Sequence, residues 1–274
     1  MKKLWMPLIM ASIVVFSLVA CKKDAKTSNS QEAAISSETL AKISQLGFSA
    51  STAQKVDEGY LVEGDIVLTN ELLNSTPQSK LLRVGSEEQY RTTNLVTRLP
   101  RTITVAVVNL GTAFVQGADL AISRYNGLNN SLHFQRITSG TPDITIKGFN
   151  QGPRGGYITL GSSGFPTSTG DPYNTIKMNT NRYAYGTNPD VNYVGSVIQH
   201  EIGHCIGFRH TDYMDRSYSC GGTASNEGAS NVGAILIPGT PAGPDPNSWM
   251  LACSNGGNRT FNTNDVTAVN YLYH

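Results

Sequence analysis

Three histidines and a glutamate fall within one eleven-residue run: His200-Glu201-Ile202-Gly203-His204-Cys205-Ile206-Gly207-Phe208-Arg209-His210. The whole 274-residue chain contains only five histidines. The run fits H-E-x-x-H-x-x-G-x-x-H at every fixed position. On a helix, residues four apart share a face, so His200 and His204 can aim both imidazoles at one point. Gly207 can adopt positive φ, end the helix and turn the chain back. That turn brings His210 to the same point from another direction. Three imidazoles around one open position make a catalytic zinc site, with Zn–N distances of roughly 2.0–2.1 Å. Glu201 neighbours a ligand but points elsewhere, which leaves it free to act as base on a metal-bound water. A surface histidine pair on an amphipathic helix would explain the first five residues, but not the breaker and third histidine that come after them.

The elements that must position these residues are legible around them. Val191 to Ile206 reads as the helix carrying the first two histidines. Ahead of it, Thr102 to Val108 is a strong strand, and Phe114 to Leu128 has a helical apolar stripe. Leu132 to Ile137, Ile144 to Phe149 and Ile176 to Asn179 read as strands. Gly156 to Leu160 reads as a short edge strand, able to add an extended substrate by main-chain hydrogen bonds. After His210, Cys220 to Pro246 is rich in Gly, Ser, Asn and Pro, a long loop of the kind that is usually functional. Ala234 to Ile237 within it is either a wall of the substrate pocket or simple packing. The C-terminus reads as a closing helix with Thr263 as N-cap, Asp265 in the first turn, and an apolar face of Val266, Val269 and Leu272.

Pro246-Asn247-Ser248-Trp249-Met250 comes about forty residues after the histidine run. The extended motif with a downstream methionine resembles the metzincin metallopeptidases, and Met250 is the candidate Met-turn residue. Gly207 to Asp212 and Ile237 to Pro241 resemble, more narrowly, the protease B-like, dual-action metallopeptidases of myxobacteria. The likeness runs from about Tyr60 to the C-terminus. It implies an α+β fold: a twisted, mixed five-stranded sheet, two main helices above the cleft, and an irregular C-terminal subdomain ending in a helix. It implies zinc as cofactor, held by His200, His204 and His210, with Glu201 as catalytic base and polypeptides as substrates. Two positions depart from better-known branches. Ala252 stands where astacins and serralysins carry a tyrosine, and Thr211 where astacins carry a glutamate.

The balance of 21 basic and 20 acidic residues, net +1, gives no argument for nucleic acid or for an anionic surface. The N-terminus has its own logic. Lys2 and Lys3 precede an apolar run from Leu4 to Ala20 that ends too soon for a good spanning helix. Leu18-Val19-Ala20-Cys21 resembles a bacterial lipobox, which makes residues 1–20 a lipoprotein signal peptide and Cys21 the lipidation site. Residues 21–50 then read as a lipidated tether, with a short helix over Ser37 to Ile43. The expected location is the bacterial cell envelope, lipid-anchored at the outer membrane. Residues 51–98 read as a pro-segment too small to bury a core of its own, and 99–274 as the peptidase domain. With Cys21 lipidated, Cys205, Cys220 and Cys253 allow one disulfide, whose pair the sequence leaves open.

A newly made protease with an open metal position needs a blocker. No cysteine lies between Cys21 and Cys205, so a thiol from the pro-segment is excluded. Glu63-Gly64-Asp65-Ile66 resembles the Gly-Asp motif with which astacin pro-segments place an aspartate on the metal. Asp65 is thus the candidate zymogen switch, with a plain Gly-Asp turn between strands as the alternative. The leading function is a zinc endopeptidase exported as a lipid-anchored proenzyme. The rival is a binding or adhesion lipoprotein whose peptidase fold no longer cuts, which the intact Glu201 argues against.

Overall fold

The computed structural model describes residues 34–75, 89–128, 130–228, 232–241 and 243–274. The expected signal peptide and the lipidation site Cys21 lie outside these residues. The described chain opens with helix α1 (Ser37–Gln45), capped by Ser36, whose hydroxyl accepts from Thr39 N. Strands β1 (Gln54–Val56), β2 (Gly59–Val62) and β3 (Ile66–Leu68) form an antiparallel sheet, and the short helix α2 (Asn70–Leu73) succeeds it. Ile43, Leu46 and Phe48 bury themselves with Val62, Ile66, Leu68 and Leu73, and Phe165 and Val232 complete the cluster. The tether expected as far as residue 50 is therefore shorter: packing begins at Ile43, because this stretch supplies apolar residues the small sheet needs. The N-terminal region does have a core, but one finished by side chains from elsewhere in the chain.

Strand β4 (Tyr90–Arg91) belongs with the peptidase part of the chain. Arg209 N donates to Tyr90 O and Thr92 N to Gly207 O, so residues from Gln89 onward are woven beside the histidine run. The expected boundary at residue 98 therefore cuts through packed structure. Strand β5 (Arg101–Val108) buries Ile103 and Val105. Helix α3 (Thr112–Asn126) buries Phe114, Ala118, Ala121, Ile122 and Tyr125, a single apolar stripe. Strands β6 (Leu132–Arg136), β7 (Ile144–Phe149), β8 (Gly161–Ser162) and β9 (Thr175–Asn179) come next, then the short helix α4 (Arg182–Tyr185) and helix α5 (Val191–Cys205). The sheet order is β6-β5-β7-β9-β8, parallel except for β8, which runs antiparallel on the edge. Helices α3 and α5 pack on each other and on the sheet in one continuous core. This is the expected mixed five-stranded α+β architecture.

Helix α6 (Ser217–Cys220), strand β10 (Ile235–Leu236) and helix α7 (Thr263–Tyr273) punctuate an otherwise irregular C-terminal part. Three local expectations are corrected. The edge strand is not at 156–160. There Arg154 and Tyr157 bond each other through both N–H groups across a two-glycine turn, and the ladder starts only at Gly161. The N-cap of α7 is Asn262, because its side chain accepts from Asn264 N and Asp265 N while Asp265 accepts from Asn262 N in return. Ile235 and Leu236 pair with β4, and Ile237 is buried in the main core, so this stretch is packing rather than pocket wall. Among the described residues, no helix is long and apolar enough to cross a membrane.

Candidate metal centre and active site

Helix α5 starts at Asp190, whose carboxylate accepts from Tyr193 N, and every residue from Val194 to Cys205 is buried. It ends in a Schellman arrangement. Phe208 N donates to Gly203 O, Gly207 N donates to His204 O, and Gly207 sits at φ 107°. The reversal carries Phe208 and Arg209 beside β4 and delivers His210 to the face already holding His200 and His204. Met250 is fully buried and packs against α5 at Gly203.

The protonation pattern of the three rings is set by their outer nitrogens. His200 Nδ1 lies 2.9 Å from Trp249 O, His204 Nδ1 2.8 Å from Phe208 O, and His210 Nδ1 2.6 Å from Glu227 Oε1. Each acceptor takes a hydrogen bond from Nδ1 and turns Nε2 inward. His204 Nε2 and His210 Nε2 stand 3.1 Å apart, and His200 Nε2 is buried without a hydrogen-bond partner. Asp65 Oδ2 lies 3.1 Å from His210 Nε2 and 3.6 Å from His200 Nε2. These four donor atoms all fall within 4.8 Å of one another. Three imidazole nitrogens and a carboxylate oxygen converging in this way fit a cation. Three imidazoles and a carboxylate fit zinc, whose tetrahedral ligands at ~2.0–2.1 Å stand roughly 3.4 Å apart.

The electrostatics agree. Burial lowers the His204 pKa well below its usual value, and the two neighbouring rings lower it further. Burial would also lower His210, but the Asp65 and Glu227 carboxylates raise it to about 10. Without metal the site thus keeps a proton among its donors, which an ion would displace. Burial would raise Glu227, yet His210, Arg216 and Arg209 hold it down at about 2. Glu201 is 1% exposed, and Ser163 Oγ donates to its Oε2 at 2.7 Å. Burial first, and the Asp65 charge second, push the Glu201 pKa well above the carboxylate range.

Asp65 reaches the ligands from the tip of the β2–β3 hairpin, whose loop is Glu63-Gly64-Asp65. Glu63 and Gly64 both have positive φ, 54° and 95°. Nothing stands within 4 Å of a Cβ built on Gly64, so its backbone angle, not a close approach, calls for glycine. The same turn that needs glycine sets Asp65 Oδ2 beside the histidine Nε2 atoms. Beyond the turn, the chain takes the sheet edge: Ser163 N donates to Asp65 O and Val67 N to Ser163 O. The main-chain edge groups of Ser163 are thus both taken by the 65–67 segment. A cleft of about 830 Å³ opens here, bordered by His200, Glu201, Tyr157, Arg216 and Leu251. Its lower lip is stapled by a Cys220–Cys253 disulfide, leaving Cys205 free and buried on α5.

A family model for dual-action HEIGH metallo-peptidases matches residues 60–273. The chain belongs to that family. HEIGH is this chain's own sequence from His200 to His204. Membership makes the protein a zinc metallopeptidase, and the histidine cluster is the place where its residues fit the ion. Two solved structures of myroilysin are similar to it at 15% identity. One covers 67% of this chain and 98% of its own, with a TM-score of 0.44. The other covers 66% and 86%, with a TM-score of 0.40. No curated protein matches significantly.

Several residues of this HEIGH metallo-peptidase site escape a motif reading. Glu227 stands seventeen positions beyond His210 in an irregular loop and braces its ring. Asp265, on the closing helix, accepts from Trp249 N, Asn262 N and Gln89 Nε2, and so fixes the turn that carries Met250. Burial raises the Asp265 pKa to about 7 despite those bonds.

Proposed function

We propose that the protein is a zinc endopeptidase in which Glu201 is the catalytic base, made as a latent, lipid-anchored proenzyme. The observation that supports this reading best is the convergence of three histidine Nε2 atoms beside the buried Glu201 carboxylate. His200, His204 and His210 would hold the zinc. When bound, zinc lowers the pKa of a coordinated water towards ~7 and polarises the peptide carbonyl. Glu201 takes the proton from the attacking water and passes it to the leaving amine. Ser163 holds that carboxylate in place, and its main-chain groups offer strand addition to an extended substrate.

The N-terminal region supplies the latency. Asp65 occupies the fourth position around the ligand set, and Asp65 to Val67 fill the sheet edge. Packing of Ile43, Phe48 and Leu68 then holds the segment down. The full-length, zinc-loaded protein should therefore be nearly inert towards a short peptide until trimmed, and chelation should stop the trimmed form. Asp65→Ala frees the metal while the backbone still covers the edge. Its activity before trimming should rise at least about tenfold, the scale of one lost ligand contact, with no change after trimming. A folded, zinc-loaded variant as latent as the parent would reduce Asp65 to a turn residue.

The lipid anchor rests on the Leu-Val-Ala-Cys sequence before residue 22. Cys21, once acylated, fixes the protein to the cell envelope and presents the cleft to polypeptides there. The parent should partition with membranes after export and Cys21→Ser with the soluble fraction. Equal partitioning of the two removes the anchor.

A further inference from the structure

We propose that Arg216 is a specificity-determining residue, selecting polypeptides with an acidic side chain within about two positions of the bond that is cut. The proposal rests on the peptidase reading of this site and names its substrate class.

Glu63, in the pro-segment, is placed at a cost. It is 7% exposed and has left-handed backbone at φ 54°. That conformation disfavours a non-glycine residue other than asparagine or aspartate. Burial raises the Glu63 pKa, and the nearby Glu227 carboxylate raises it further. A glutamate thus sits where both backbone and solvation disfavour it. Two contacts offset the cost. Ser49 N donates to Oε1 at 2.8 Å, and Arg216 Nη1 lies 3.4 Å from Oε2.

Arg216 belongs to the catalytic part and borders the cleft. Its other carboxylate partner is Glu227 Oε1, at 2.9 Å, the same oxygen that accepts from His210 Nδ1. The guanidinium is thus anchored on the metal-site side by Glu227 and answered on the cleft side by Glu63. When the pro-segment leaves, the anchor stays and the cleft-side partner goes. A rigidly held, partly desolvated guanidinium facing a groove calls for another carboxylate. Glu63 stands two positions from Asp65, the residue at the ligand histidines. The pro-segment therefore marks both the metal position and an acid-binding position a short reach away.

The test uses the full chain, folded with zinc and then trimmed. Peptide pairs differing only by Glu against Gln are scanned across the positions flanking the cut. At one position the parent should favour Glu by about ten- to hundredfold in kcat/KM, mostly through KM. Arg216→Gln should bring that ratio close to one, and Arg216→Lys should keep part of it. A ratio taken on one preparation is unaffected by lost folding or lost zinc, so it separates selectivity from the bracing of Glu227. A parent ratio near one at every position, or an unchanged ratio in Arg216→Gln, overturns the proposal while leaving the peptidase reading intact. Absence of hydrolysis of any peptide overturns both.

Discussion

Replacing Glu201 with glutamine is expected to remove peptide hydrolysis and leave the metal in place. Glutamine fills the same volume in the buried pocket beside Gly161 and can still accept from Ser163 Oγ. It cannot take a proton from water. A positioned base is worth about 10²–10⁴ in rate, so kcat should fall by that factor or more. Zinc content should stay at the parent value, because the three histidines and their Nδ1 partners are untouched. Stability adds an independent readout. In the metal-free folded chain the Glu201 pKa lies well above its ordinary value of 4.5, chiefly through burial. The folded state therefore holds that proton more tightly than the unfolded state. The group's contribution is fully present below about 4.5 and is lost as pH rises through the folded pKa. Glutamine carries no charge to bury, so the metal-free variant should lose less stability than the parent between acid and neutral pH. Turnover, zinc content and Tm on the same preparations decide it. Undiminished turnover in a zinc-loaded variant would place the base elsewhere.

What the sequence disclosed about this site is what local geometry dictates. His200 and His204 are related by helix periodicity, and Gly207 by the backbone angle a reversal needs. His210 comes at a fixed distance from both. Each of these relations spans fewer than a dozen residues, so spacing alone carries them. Glu227, Arg216 and Asp265 obey no such period. Each is placed by the tertiary course of a loop or a terminal helix, and a carboxylate in a Gly- and Ser-rich stretch looks like any solvated turn residue. Physical chemistry could have asked for Glu227, since a ligand histidine needs an acceptor at its other nitrogen. It could not have said which residue answers.

The sheet shows the same division. Strands β5, β6, β7 and β9 carry enough β-branched and apolar residues to announce themselves. The edge does not, because β8 is two residues long and its ladder is set by where the Arg154–Tyr157 turn ends. The N-terminal region is the hardest to apportion. Its apolar residues are too few to predict a domain, and Phe165 and Val232, which finish its core, lie about a hundred residues or more further along the chain. Only the folded chain shows that Ile43 and Phe48 pack with the small N-terminal sheet.

His210→Ala should weaken zinc binding, and by different amounts in the two forms of the protein. Loss of a partner behind a ligand histidine already costs about 10–100-fold in affinity, so loss of the ligand itself should cost at least about a hundredfold. In the trimmed enzyme only His200 and His204 remain, and the full loss should appear. In the full-length chain Asp65 Oδ2 is still 3.6 Å from His200 Nε2 and can complete a two-histidine, one-carboxylate set. Its affinity should therefore fall less than that of the trimmed form. The fold should survive in both. Glu227 keeps Arg209 and Arg216 as partners once the ring is gone, so no buried carboxylate is left unpaired. Competition against a chromogenic chelator gives the affinities, and the Tm of the metal-free forms reports the fold. Unchanged affinity in the trimmed variant would make this a two-histidine site. An equal loss in both forms would mean that Asp65 does not reach the metal.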